Sequence, residues 1–143
     1  MIVTQPDRVL LRAQVAKFAR ELGGRVLDLG GGDGRRYKHL FDEIQSLDLN
    51  ADLQPDIVGS AQDIPLDDGS VDSILCTQLL EHVPSPHTVF AEMFRVLKPG
   101  GKALLTVPQW NELHEEPHDF FRYTNFGIAH MSQEAGFTVL HTE

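Results

Sequence analysis

Apolar positions along this chain recur with two different spacings, and the switches between them divide it into elements. From about Pro6 to Leu22, the residues Val9, Leu10, Ala13, Ala16, Phe18 and Leu22 repeat at helical intervals until Gly23-Gly24 stop the run, so an amphipathic helix is predicted. Arg25 to Leu29 is a short apolar run of strand length. After a cluster of glycines, Arg35 to Phe41 returns to helical spacing, and Ile44 to Leu49 reads as a second strand. Asp56 to Gly59 is a brief third strand and Val71 to Thr77 a fourth. Thr88 to Leu97 places its apolar residues on one helical face. Pro99-Gly100-Gly101 turns the chain into a fifth strand, Lys102 to Val107. A loop rich in proline and histidine precedes a helix from about Asn125 to Ala135, which Gly136 ends, and Phe137 to His141 reads as a last strand.

Strands alternating with helices over short connections predict an α/β fold, a mostly parallel sheet with helices on both faces. Such sheets bind ligands beyond the carboxyl ends of their strands, where the strand order reverses. The order 5-4-1-2 would bring the loops after the first, second, fourth and fifth strands to one edge. The length, 143 residues, fits a single domain over 1–143, and 41% apolar content suits a globular core.

Charge and cysteine usage narrow the chemistry. With 12 Lys and Arg against 21 Asp and Glu, the formal net charge is −9, and no basic run interrupts it. A nucleic-acid backbone or an anionic membrane surface is therefore a poor expectation for the partner. Cys76 is the single cysteine, which leaves no internal disulfide and no cysteine-based zinc site. The N-terminal segment carries charges every few residues, unlike a signal peptide or a membrane span, so a cytoplasmic protein is expected.

The stretch VLDLGGGDG, Val26 to Gly34, is where a ligand is expected to approach bare main chain. A dinucleotide fingerprint needs G-x-G-x-x-G. Here Gly30, Gly32 and Gly34 give G-x-G-x-G, and Arg35 stands where the third dinucleotide glycine belongs. No G-K-[ST] follows, so a P-loop is excluded. Asp28 would repel a pyrophosphate at this loop but would suit an ammonium group. Asp48, at the end of the second strand, can accept hydrogen bonds from ribose hydroxyls. The implied ligand has a ribose, a cationic end and no need of phosphate, and S-adenosylmethionine has those parts.

At these residues the chain resembles the class I S-adenosylmethionine-dependent methyltransferases, particularly small bacterial members acting on small molecules. The resemblance rests on DLGGGDG at 28–34, LDLN at 47–50, VGSAQDIPLDDGSVDSILC at 58–76, LLEHVPSPH at 79–87, LKPGGKALLTVP at 97–108 and HEEPHDFFRYT at 114–124. It implies a Rossmann-like fold and S-adenosylmethionine as cofactor, with S-adenosylhomocysteine as product. The resemblance further implies that Gly30, Gly31, Gly32 and Gly34 face the methionine portion, with Asp28 directed at its amino group. Asp48 would hold the ribose with Leu49 beside it. Ala61 and Gln62 would bracket the adenine and Ile64 would pack on its face. Many relatives carry an acid where this chain has Ser60, so Asp63 is the expected substitute. Thr77, Gln78 and Leu79 would line the sulfonium side.

For the methyl acceptor, Glu81-His82 and the segment HEEPHDFFRYT are expected over the same edge. His82 and His118 are the candidate general bases, since an acceptor hydroxyl or ammonium must lose a proton. The bland alternative is that these histidines only hold structure or touch substrate. Glu81, His114, Arg122 and Tyr123 are candidate acceptor contacts. Metal binding by His114, Glu115, His118 and Asp119 is the lesser reading, because Glu115-Glu116-Pro117 breaks the helical geometry that two histidines four apart would need. No resident metal is expected.

The resemblance also implies a seven-stranded sheet. The chain reaches Glu143 just after its sixth strand begins, so a C-terminally shortened domain lacking the final strand is expected, with a homodimer as one way to cover the exposed edge. The leading expectation is a methyltransferase for a small-molecule acceptor. The alternative is a non-catalytic cofactor-binding or scaffold module with the same fold.

Overall fold

The structure, a computed structural model, describes residues 8–142. Its order is α1 (Arg8–Ala19), β1 (Arg25–Leu29), β2 (Glu43–Asp48), β3 (Ile57–Val58), β4 (Val71–Thr77), α2 (Pro86–Val96), β5 (Leu97–Thr106) and α3 (Asn125–Glu134). The expected first turn of α1, at Pro6 and Asp7, lies outside the described residues.

All strand pairings are parallel and the sheet runs β3-β2-β1-β4-β5. Parallel strands bury both faces, so their sequences are apolar on successive residues. Leu27, Leu29, Ile74 and Cys76 point to one face, where they pack with Val89, Phe90, Met93 and Val96 of α2. Val26 and Leu75 point to the other, with Val15 of α1 and Tyr37. Helices thus cover both faces of a Rossmann-like α/β domain, as expected. After β3 the chain crosses to the far side of β1, which puts the reversal in strand order between β1 and β4.

Three expectations are corrected. Arg35–Phe41 is a set of turns with one short 3-10 segment, Lys38–Leu40. Seven residues cannot sustain an α-helix alone, and the Asp33 carboxylate takes the Arg35 N–H at 3.0 Å before a helical ladder can start. Pro99-Gly100-Gly101 does not precede the fifth strand but bulges within it. Val71 pairs with Leu97 and Ser73 with Lys102, and the residues between loop out at Gly100, whose φ is +79°.

Phe137–His141 forms no strand. Phe137 instead turns back after α3, its N–H bonded to the Ser132 carbonyl at 3.0 Å and its ring edge-on to Phe94 at 5.3 Å. His141 then reaches the ring of Phe18 on α1, at 4.9 Å. The tail follows its aromatic contacts from one face of the sheet to the other and leaves the outer edge of β5 unpaired among the described residues.

Candidate functional site

The loops leaving β1, β2 and β4 meet at the carboxyl edge. The Gly30 N–H bonds the Leu47 carbonyl at 2.8 Å, so the glycine turn starts by crossing onto β2. The Gly32 N–H then donates to Asp48 Oδ2 at 3.0 Å. Gly30, Gly32 and Gly34 have φ of +70°, +57° and +72°, in the left-handed region that glycine enters without strain. Close approach matters as well. A Cβ at Gly31 would lie 2.5 Å from Asp28 Oδ2, and one at Gly30 would lie 2.9 Å from Leu79 Cδ1. The turn therefore rests directly on Asp28 below and on the β4 loop beside it.

Asp28 is the electrostatic centre of this arrangement. Its side chain is 1% exposed and neither carboxylate oxygen has a hydrogen-bond partner. Burial pushes its carboxyl up to about 7, with Arg36 opposing and Asp48 reinforcing the shift. A buried acid with nothing to bind is costly unless a cation meets it. Asp48 differs, being half-buried and anchored. Oδ2 accepts from Gly32 and Oδ1 from the Asn50 N–H at 2.9 Å, and each oxygen keeps a further lone pair for a donor outside.

No α-helix follows the glycine turn. A helix N-terminus is what holds a pyrophosphate in dinucleotide sites, and this loop offers an orphaned carboxyl in its place. The residues present suit an ammonium and a diol, and they disfavour a diphosphate.

The other expected cofactor residues differ in exposure, and Ile64 also lines a recess with Arg25 and Arg95. Leu49 is 75% exposed beside Asp48. Ala61 and Ile64 are buried in the core cluster, so Ile64 offers little open face. The Ser60 hydroxyl accepts from the Gln62 N–H at 3.1 Å, and Asp63 is exposed. Thr77 is buried at the end of β4. Gln78 follows with φ +51° and is held by its N–H to the Thr106 carbonyl at 2.9 Å. A non-glycine residue in that conformation is strained by about 1–3 kcal/mol, and such strain gathers at ligand-binding mouths. Leu79 is half-buried against Gly30.

The acceptor-side residues divide. Glu81 is fully buried and His82 half-buried, both on a 3-10 turn, Leu80–His82, just past β4. The segment after β5 folds over them. The Phe120 N–H bonds the Glu81 carbonyl at 2.7 Å. His82 Nδ1 lies 2.6 Å from the His118 carbonyl. A carbonyl only accepts, so Nδ1 carries a proton, and in the neutral ring the lone pair is then on Nε2. His118 is exposed and contributes its carbonyl to the site, while its ring turns toward Phe120 at 6.3 Å. His114 stands edge-on to His82 with ring centroids 4.8 Å apart.

Arg122 and Tyr123, expected as acceptor contacts, have their donors engaged within the chain. All five Arg122 N–H donors are engaged, by both Asp119 oxygens and by the carbonyls of Asn111, Glu112 and Phe121. The guanidinium holds the buried Asp119 carboxyl well below the usual carboxylate range. Tyr123 is 8% exposed and its hydroxyl donates to the Leu80 carbonyl at 2.8 Å. Their polar tips point inward and clip the loop to β4. Tyr123→Phe should therefore cost about 1 kcal/mol of unfolding free energy in denaturant titration and leave cofactor affinity unchanged. A large affinity loss with unchanged stability would return Tyr123 to the binding surface.

The lesser metal set also separates. Asp119 is spent on Arg122, and the converging donors are those of Glu81, His82 and His114. The sequence hint for Glu81 lay in its apolar neighbours Leu79, Leu80 and Val83, which bury the turn. A recess lined by Arg25, Pro65, Asp67, Ser70 and Arg95 lies at the opposite, amino edge of the sheet. There Arg95 is already paired with Glu92 and Asp68.

Comparison with known proteins identifies the family of the chain. Residues 27–105 match the family model described as a methyltransferase domain. An uncharacterized methyltransferase of Mycobacterium sp. (strain KMS) is 36% identical over 102 residues, covering 62% of this chain and 40% of that protein. The ubiquinone biosynthesis O-methyltransferase of Xanthomonas oryzae pv. oryzae is 34% identical over 102 residues, covering 59% of this chain and 43% of that protein. The chain thus spans about two fifths of the length of these curated relatives. Among solved structures, a chain of the Haloferax volcanii complex between the Trm112 methyltransferase activator and a methyltransferase superposes with a TM-score of 0.74 at 26% identity. That match covers 92% of this chain and 70% of the other. A phosphoethanolamine N-methyltransferase of Haemonchus contortus, solved with S-adenosylhomocysteine, shares the fold with a TM-score of 0.69 at 20% identity, over 89% of this chain and 37% of that one.

Proposed function

From the premise that the chain belongs to the methyltransferase-domain family and has its class I fold, we propose that it binds S-adenosylmethionine and methylates a small-molecule acceptor. The observation that carries this reading is the orphaned, buried Asp28 carboxyl under a glycine turn that lacks a following helix. When bound, the cofactor supplies an electrophilic methyl group on a sulfonium.

In this reading Asp28 ionises to hold the amino group, and the bare main chain of Gly30–Gly34 lets the methionine portion lie close. The free lone pairs of Asp48 take the ribose hydroxyls while its other contacts hold Gly32 in place. Leu49 packs beside the sugar. The backbone at Ala61 and Gln62, with Asp63, reads the adenine, and Ile64 supports it from the core. Thr77, Gln78 and Leu79 enclose the sulfonium side. His82 accepts the acceptor's proton at Nε2. Most of the acceleration comes from holding the reacting groups close and aligned. A relative named for O-methylation in ubiquinone biosynthesis favours an oxygen acceptor on a small molecule.

Work in the cytoplasm and a homodimer as the assembly belong to the same proposal. No helix among the described residues is long and apolar enough to cross a membrane. The functional test is a thermal-shift comparison of S-adenosylmethionine, S-adenosylhomocysteine and NAD, then labelled-methyl transfer to a pool of metabolites. Stabilisation by the first two and label in a small molecule are expected. Stabilisation by NAD alone would overturn the cofactor assignment, and binding without transfer would favour a scaffold.

A further inference from the structure

The Glu81 side chain is fully buried and neither of its oxygens is hydrogen-bonded. Arg122 cannot relieve it, because all five of its donors are taken elsewhere. Expected as an acceptor contact, Glu81 offers no exposed surface to an acceptor. What surrounds it is nitrogen: His82 Nε2 lies 3.8 Å from Glu81 Oε1, and one donor atom from each of Glu81, His82 and His114 lies within 4.8 Å of the others.

Both imidazoles are already oriented as metal ligands are. A ligating histidine usually donates its second ring N–H to a carbonyl or carboxylate, which fixes the tautomer and leaves the other nitrogen free. His82 Nδ1 is 2.6 Å from the His118 carbonyl. His114 Nδ1 is 2.9 Å from the Glu112 carbonyl and 3.6 Å from Asp119 Oδ2. Each ring therefore keeps its lone pair on Nε2. Glu115 Oε2, 3.8 Å from His82 Nε2 and exposed, could join as a further oxygen.

We propose that Glu81, His82 and His114 form a binding site for one divalent transition-metal ion of the zinc type, at the mouth of β4. Two imidazoles and one carboxylate are a donor set that suits Zn2+ and its neighbours, whereas Mg2+ and Ca2+ prefer oxygen alone. A tetrahedral ion with bonds of 2.0–2.1 Å holds its donors ~3.4 Å apart, so binding draws the three side chains inward by about an ångström. Three protein ligands leave at least one position for water or for an oxygen of the acceptor. Only that last clause rests on the methyltransferase reading. The ion site itself stands without it. With the ion bound, His82 Nε2 is a ligand and no longer accepts a proton.

The test is equilibrium dialysis of the tag-free, chelator-treated protein against Zn2+, with Co2+ absorption as a spectroscopic readout. One equivalent should bind, with the visible bands of four- or five-coordinate Co2+, and equimolar Mg2+ should not compete. Glu81→Gln, His82→Ala and His114→Ala should each weaken Zn2+ binding tenfold or more. Thermal melting without metal confirms that each variant is folded. His114 is half-exposed, so its variant reports on the site even where a Glu81 variant misfolds. The exposed His87, Glu134 and His130 are a competing surface cluster, with His–carboxylate distances of 3.8 and 3.4 Å. The His87→Ala/His130→Ala protein should therefore bind as the parent does. No stoichiometric ion, loss of binding in that double variant, or undiminished binding in His114→Ala would each overturn the site. Cofactor thermal shifts run without metal on the same samples keep this outcome separate from that of the methyltransferase reading.

Discussion

Asp28→Asn should yield a protein that is more stable without ligand and much weaker in binding S-adenosylmethionine. The folded-state carboxyl is pushed up to about 7 because it is buried without a partner. A raised acid pKa means that the folded state favours the protonated form. The stability this confers is complete below about pH 4 and is lost as pH rises toward 7. At about 1.4 kcal/mol per unit the loss approaches ~4 kcal/mol above pH 7. Asparagine has no charge to bury, so the melting-temperature difference between variant and parent should grow from pH 4 to pH 8. Binding moves the other way. An ammonium ligand loses its buried counter-ion, which costs ~2–5 kcal/mol, or about thirtyfold to several thousandfold in Kd. Calorimetry at pH 6 in two buffers of different ionisation enthalpy should also show a proton released on binding to the parent. An asparagine variant that binds like the parent would remove Asp28 from the cofactor site.

Asp48→Ala should lower cofactor affinity about a hundredfold or more. Two charge-assisted hydrogen bonds to the ribose are lost, each worth ~1.5–3 kcal/mol. The Gly32 and Asn50 amides lose their anchor as well. Asp48→Asn retains an acceptor oxygen and should lie between the two. Asp33, on the same turn but exposed, is the control, and Asp33→Ala should bind within about twofold of the parent. Equal calorimetric Kd values for parent and Asp48→Ala would end the ribose assignment.

The sheet was legible because buried parallel strands announce themselves as apolar runs, and glycine marks where β1 and β3 end. Asp28 and Asp48 were legible for the same reason, as the acids on either side of a turn that excludes side chains. The helical spacing at Arg35–Phe41 misled because a spacing pattern carries no information about length, and seven residues are too few to hold a helix. Phe137–His141 has strand composition, yet its aromatic residues found partners on α2 and α1 before the sheet edge. Arg122 and Tyr123 look like surface recognition residues by type. Only the fold reveals that Asp119 and four backbone carbonyls, including that of Leu80, consume their donors. The histidine spacing likewise pointed to His118 and Asp119 together with His114, when the chain brings Glu81 and His82 to His114 from 32 residues away or more.

The clip that Arg122 makes with Asp119 and three carbonyls is complete before any ligand arrives. The wall it supports is therefore built during folding, and recognition spends none of its affinity on ordering that segment. Selectivity at a rim closed in this way would rest on shape, since remoulding it for a molecule that does not fit would break the Arg122 contacts.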